Sequence, residues 1–140
     1  MKLNIIDASN YFKGLLLLIR KDRQITQSEI DLMKSIGKSL GFEKEFCDNA
    51  IGEILDNAYI EDVPPAFSTK ELATKFVKDG LYIAFVDHEH IHPDEEQWLK
   101  STAEKNGIGL GYFSQEMEHA RKSRGSPSRL EVFDLTVEYF

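Results

Sequence analysis

The stretch GLLLLIRKDRQITQSEIDLMKSIGKSLGF, Gly14 to Phe42, reads like a distant copy of GLYIAFVDHEHIHPDEEQWLKSTAEKNGI, Gly80 to Ile108. The shift is 66 positions throughout, the interval from Gly14 to Gly80. At that shift Gly14, Leu15, Ile25, Glu29, Lys34, Ser35 and Gly41 meet Gly80, Leu81, Ile91, Glu95, Lys100, Ser101 and Gly107. Each copy runs apolar helix, polar connector, capped amphipathic helix, glycine stop. Self-similarity of this kind predicts units that bury a shared core by stacking.

Working outward, the first helix is expected over Ser9–Lys21, with Ser9 as its N-cap, apolar on nearly all sides and therefore central. Its mid-helix Gly14, matched by Gly80, predicts close helix–helix approach. A second helix follows over Gln27–Leu40. Thr26 and Glu29 form a T-x-x-E capping box, Ile25 and Ile30 a hydrophobic staple, and Gly41 the left-handed stop. Ile30, Met33, Ile36 and Leu40 make its buried stripe. The third helix is expected over Glu43–Asn57, with Phe46, Ala50, Ile54 and Leu55 on one face and Ile51 beside them. Pro64-Pro65 then interrupt helix and strand alike.

A fourth helix is expected to open on the capping box Ser68-Thr69-Lys70-Glu71 and to run to about Asp87. After the connector His88 to His92, Pro93 takes the first position of a fifth helix, which Asn106-Gly107 ends. Trp98, Leu99 and Thr102 face inward. A sixth helix is expected over Leu110–Lys122, or only from Gln115 with Ser114 as its cap. The tail Leu130–Phe140 is apolar, and its pattern leaves helix and strand both open. A tail of this kind needs cover, from its own bundle or from a partner.

The expectation is an all-α, single-domain bundle of about six or seven helices with an internal two-fold pseudo-repeat. The domain is placed at residues 1–125, with pseudo-repeats of about 9–57 and 68–123, and the tail at 126–140. A length of 140 residues fits one domain with one core. Net charge −7 argues against a global attraction for nucleic acid, and none is expected as a partner. Arg121, Lys122, Arg124 and Arg129 form a local basic stretch that suits a helix C-terminus and a solvated linker. The longest apolar run, Leu15 to Ile19, falls far short of the roughly 20 residues a bilayer span needs. A lone cysteine, Cys47, with a start too soon acidic for a secretory signal, gives the expectation of a cytoplasmic protein without disulfides.

Three motifs touch on chemistry, the first of them with two readings. His88-Glu89-His90-Ile91-His92 matches H-E-x-x-H formally, yet Pro93 pushes His92 out of the helical region that a zinc peptidase needs. In an extended connector His88, His90 and His92 would instead point the same way, with Asp87 or Asp94 nearby, and could hold a divalent metal. Gly37-Lys38-Ser39 lacks the earlier glycine of a phosphate loop and lies inside a helix. Cys47 stands near a helix start, where a thiol pKa falls, although a semi-buried structural cysteine explains it as well.

The connectors carry a family resemblance. Asp22-Arg23-Gln24-Ile25 with Glu29, and His88-Glu89-His90-Ile91 with Glu95, resemble the Asp-Gly-x-Ile turn and following glutamate of the TerB-like domains. Leu40-Gly41-Phe42 resembles their leucine-glycine-hydrophobic ending, and Asn106-Gly107-Ile108 repeats it in weakened form, with Asn106 in place of the leucine. Those domains occur in a tellurite-resistance protein and in a DnaJ-type co-chaperone. Arg23 and Glu89 depart from the glycine, and His88 from the second aspartate. The resemblance implies an all-helical fold in two similar halves. Acidic positions near these turns are suspected metal ligands in the family; Asp22, Glu29 and Glu95 match them here.

The functional expectation is a non-enzymatic interaction or sensing module, linked to tellurite or another stress. A protein partner is expected, through Leu130–Phe140, and homo-oligomerisation is left open. No cofactor is expected. The alternative is a metal-binding protein using Asp22, Glu29, His88, His90, His92 and Glu95. The capping and turn roles of Glu29 and Asp22 account for the same residues without metal.

Overall fold

The computed structural model describes residues 1–21, 25–57, 59–86, 90–123 and 130–138. Among them are six α-helices: α1 (Ile5–Lys21), α2 (Gln27–Ser39), α3 (Lys44–Asp56), α4 (Lys70–Phe85), α5 (Pro93–Lys105) and α6 (Leu110–Lys122). Lys2–Leu3 (β1) pairs in parallel with Thr136–Val137 (β2). The fold is an all-α bundle with one small strand pair at its edge.

Helix α1 begins a turn before Ser9. Asn4 Oδ1 accepts the Asp7 N–H at 2.7 Å and so occupies the capping role expected of Ser9. Tyr11, Phe12, Leu15, Leu16 and Leu18 are fully buried, so α1 runs through the interior. Helix α4 lies against it. The Tyr11 and Phe76 rings meet edge to face, centroids 5.2 Å apart.

The two mid-helix glycines admit these neighbours. A Cβ on Gly14 would stand 2.9 Å from the Phe76 ring, and one on Gly80 2.7 Å from Leu99 Cδ2 and 3.1 Å from Leu18 Cδ2. Helices α2 and α5 end on left-handed glycines, Gly41 (φ 82°) and Gly107 (φ 76°). Ile108 N–H then reaches the Ala103 carbonyl at 2.8 Å, as a Schellman ending requires.

Several expectations need correction. Helix α4 is capped by Thr69, which accepts the Leu72 N–H at 3.2 Å. Ser68 instead donates its hydroxyl, and its N–H at 3.1 Å, to the buried carboxylate of Asp7. On α3 the buried face is Cys47, Ala50, Ile51 and Ile54, while Phe46 is 40% exposed. Leu110 is likewise exposed at the start of α6.

Asp62 is bound into the fold by two cations. The Arg20 guanidinium holds its carboxylate, along with the carbonyls of Ile54, Asn57 and Ile60, and Lys21 Nζ adds a contact of 2.6 Å. One arginine thus ties the end of α3 and the connector after it to α1.

The tail resolves what its pattern left open. Glu131–Asp134 form a 3-10 turn, and β2 follows. Leu130, Val132 and Leu135 are buried in the bundle. The cover these side chains need therefore comes from their own chain. Tyr139 and Phe140 lie outside the described residues.

Candidate functional site

The connectors before α2 and α5 each close on a helix cap. Before α2, Glu29 Oε1 accepts the Thr26 N–H at 3.0 Å while Thr26 Oγ1 accepts the Glu29 N–H at 3.1 Å. Before α5, Glu95 Oε1 accepts the His92 N–H at 3.3 Å, and His92 Nδ1 accepts the Asp94 N–H at 3.1 Å. Both glutamates are buried and turned toward the helix start. His92 is an N-cap with extended backbone (φ −65°, ψ 134°), outside the helical region that an H-E-x-x-H pair needs. His90 and His92 stand exposed at the surface. Asp22, Asp87, His88 and Glu89 lie outside the described residues. Among the described residues no group of three or more His, Cys, Asp or Glu side chains is placed to hold a metal ion.

A second assembly lies between α2 and α3, and sequence reasoning did not single it out. A cavity of about 510 Å³ opens there, floored by Phe42 and Cys47 and rimmed by Lys34, Lys38 and Lys44. Lys34 and Lys38 project from successive turns of α2, because residues four apart share a helix face. The left-handed turn at Gly41 brings Phe42 back over the end of α2, where its N–H bonds the Gly37 carbonyl at 3.0 Å. Phe42 is held between Phe12 (centroids 5.7 Å) and Phe46 (5.1 Å).

Cys47 closes the floor. A Cβ on Gly37 would stand 2.4 Å from its Sγ, so only glycine admits this approach of α2 to α3. Burial, then the neighbouring Asp48 charge, pushes the Cys47 thiol up, against the fall expected near a helix start. The cysteine is a packing residue, not a poised nucleophile.

Electrostatics distinguish the three lysines. Lys44 Nζ pairs with Asp48 Oδ2 at 3.0 Å. Asp48 Oδ1 is buried in the wall without a hydrogen-bond partner among the described residues. Lys34 and Lys38 have no ion-pair partner among the described residues. The cavity thus sets an apolar floor beneath two uncompensated cations, in a chain of net charge −7.

A third assembly is buried. Asp79 accepts the Tyr11 hydroxyl at 2.6 Å, the Glu131 N–H at 2.7 Å and the Val132 N–H at 2.9 Å. Burial pushes its carboxyl up to about 6, against the pull of these three donors. Burial and the Asp79 charge raise the Tyr11 hydroxyl in turn. All three partners belong to the fold, and the arrangement caps the 3-10 turn of the tail. Spacing places Asp79 on the buried stripe between Phe76 and Ile83 but says nothing of its partners.

None of these helices is long and apolar enough to cross a membrane. No family model, no curated protein and no solved structure matches the chain.

Proposed function

We propose that this chain is a TerB-like helical module that acts without catalysis, by binding a protein partner on the face formed by α2 and α3, within a tellurite- or other stress-linked system. One observation carries the binding face: the α2–α3 cavity, with its apolar floor and, above it, Lys34 and Lys38, which have no ion-pair partner among the described residues. The connectors support the TerB-like reading, since Glu29 and Glu95 stand at equivalent places before α2 and α5.

The partner surface moves from the tail to this face. Leu130, Val132 and Leu135 are occupied inside the bundle, so deleting the tail would test folding and not recognition. Affinity capture with the wild-type chain and with Lys34→Glu/Lys38→Glu decides the point, with helicity checked by circular dichroism. A defined partner held by the wild type and lost from the folded variant is the expected result. Identical retention by both would sink the reading.

A divalent metal on the α4–α5 connector is the second reading, favoured by the exposure of His90 and His92 on one short segment. Glu29 and Glu95 contribute less to it, being turned to their helix caps. Elemental analysis of protein purified without a histidine tag measures it directly. Stoichiometric zinc or nickel, lost in His90→Ala/His92→Ala, would establish that reading.

A further inference from the structure

We infer that the α2–α3 cavity recognises an acidic peptide segment that carries an apolar side chain between its carboxylates. The inference rests on the reading of α2–α3 as the binding face and names the chemistry of its occupant.

Charge complementarity sets the first requirement. Lys44 is already matched by Asp48, 3.0 Å away. Among the described residues Lys34 and Lys38 are the rim cations left without an ion pair, on adjacent turns of α2 and so about 6 Å apart at Cβ. Both lysines are exposed on one helix face, so a single anionic segment lying along α2 can reach both ammonium groups. The rest of the chain is acidic, which disfavours distant anions and makes this rim a local exception.

The floor sets the second requirement. Phe42 and Cys47 offer apolar surface directly below the cations. Phe42 is fixed by Phe12 and Phe46, so its ring is preorganised to receive a side chain. An inorganic anion would satisfy the lysines and leave that floor wet. A purely apolar side chain would cover the floor and leave the lysines unmatched. A segment such as Glu-Phe-Glu satisfies both at once, and a protein partner supplies it in an exposed acidic stretch.

The test uses the full chain and the acetylated, amidated pentapeptide Glu-Glu-Phe-Glu-Glu, followed by fluorescence anisotropy of a labelled copy. Replacing all glutamates by glutamine, or the phenylalanine by serine, should each weaken binding by about tenfold or more. Lys34→Ala/Lys38→Ala should weaken the parent peptide similarly, whereas Lys70→Ala, on an exposed turn of α4, should leave it unchanged. Equal binding of the glutamine peptide, equal binding to the double variant, or full displacement by decanoate would overturn the inference. Absence of any peptide binding would overturn it too. The capture experiment is separate: a partner lost from Lys34→Glu/Lys38→Glu preserves the α2–α3 face even when the acidic peptide fails.

Discussion

Asp79 gathers three donors from two distant parts of the chain, and its chemistry gives a signed prediction. Its carboxyl titrates near 6 in the fold, above the ordinary 3.8. The fold therefore binds a proton here that the unfolded chain has already released. The stability this group contributes is fully present below about pH 4, falls as pH rises toward 6, and changes no further above it. Urea denaturation of wild type against Asp79→Asn should show the variant gaining on the wild type across that window and holding a constant difference beyond it. Asp79→Ala, which strands the Tyr11 hydroxyl and two backbone N–H groups, should cost about 3 kcal/mol. Thr26 and Glu29 were legible at this scale because a capping box is written within four adjacent residues. Asp79 and the Ser68–Asp7 contact were not, since their partners lie 61 and 53 positions away for Ser68–Asp7 and Asp79–Val132.

Helix contacts extend the argument from single groups to elements. Gly14 faces the rigid Phe76 ring and Pro65, whereas Gly80 faces the ends of two leucines. Alanine improves helix propensity at either site by about 1 kcal/mol, so the sign depends on whether the neighbour can yield. Gly80→Ala should be nearly neutral after leucine rotamer shifts, while Gly14→Ala should lose about 1–3 kcal/mol by overpacking. Thermal unfolding of the two variants tests the order; a more stable Gly14→Ala would show that α1 and α4 are less tightly engaged there. The positions of both glycines were readable as marks of close approach. Their neighbours were not, because a stripe of apolar residues tells which face is buried without telling which side chain meets it. Helix boundaries followed the same division: α2 and α6 came within a residue of expectation, and α1 began earlier because Asn4, not Ser9, satisfies its first turn.

At the scale of the molecule, helices α1 to α6 supply the core and the tail completes it. Removing everything after Ser123 would uncover the surface filled by Leu130, Val132 and Leu135 and leave the Asp79 carboxylate with Tyr11 as its remaining donor. Each lost side chain is worth roughly 1.5–3 kcal/mol, against a total domain stability of about 5–15 kcal/mol. The shortened chain should melt far lower and bind a dye for exposed apolar surface. A cooperative transition at the wild-type temperature would contradict that. The all-α class was legible because helical periodicity is local. The strand pair was not, for it joins Leu3 to Val137 and no two-residue segment announces its mate. The α2–α3 cavity was also hidden: its lysines are ordinary on a polar helix face, and only the turn at Gly41 sets an aromatic floor beneath them.

That strand pair bears on how the chain resists being pulled. Met1 enters β1 from the same side on which Thr136 enters β2, because the strands run in parallel. Tension applied outward through Met1 and Glu138 slides the strands past each other. The bonds from Thr136 N–H to the Met1 carbonyl and from Glu138 N–H to the Leu3 carbonyl then carry the load together, where an unzipping geometry would break them in turn. Under tension along the strand axis the first step is therefore mechanical rupture of this clasp, not gradual unravelling.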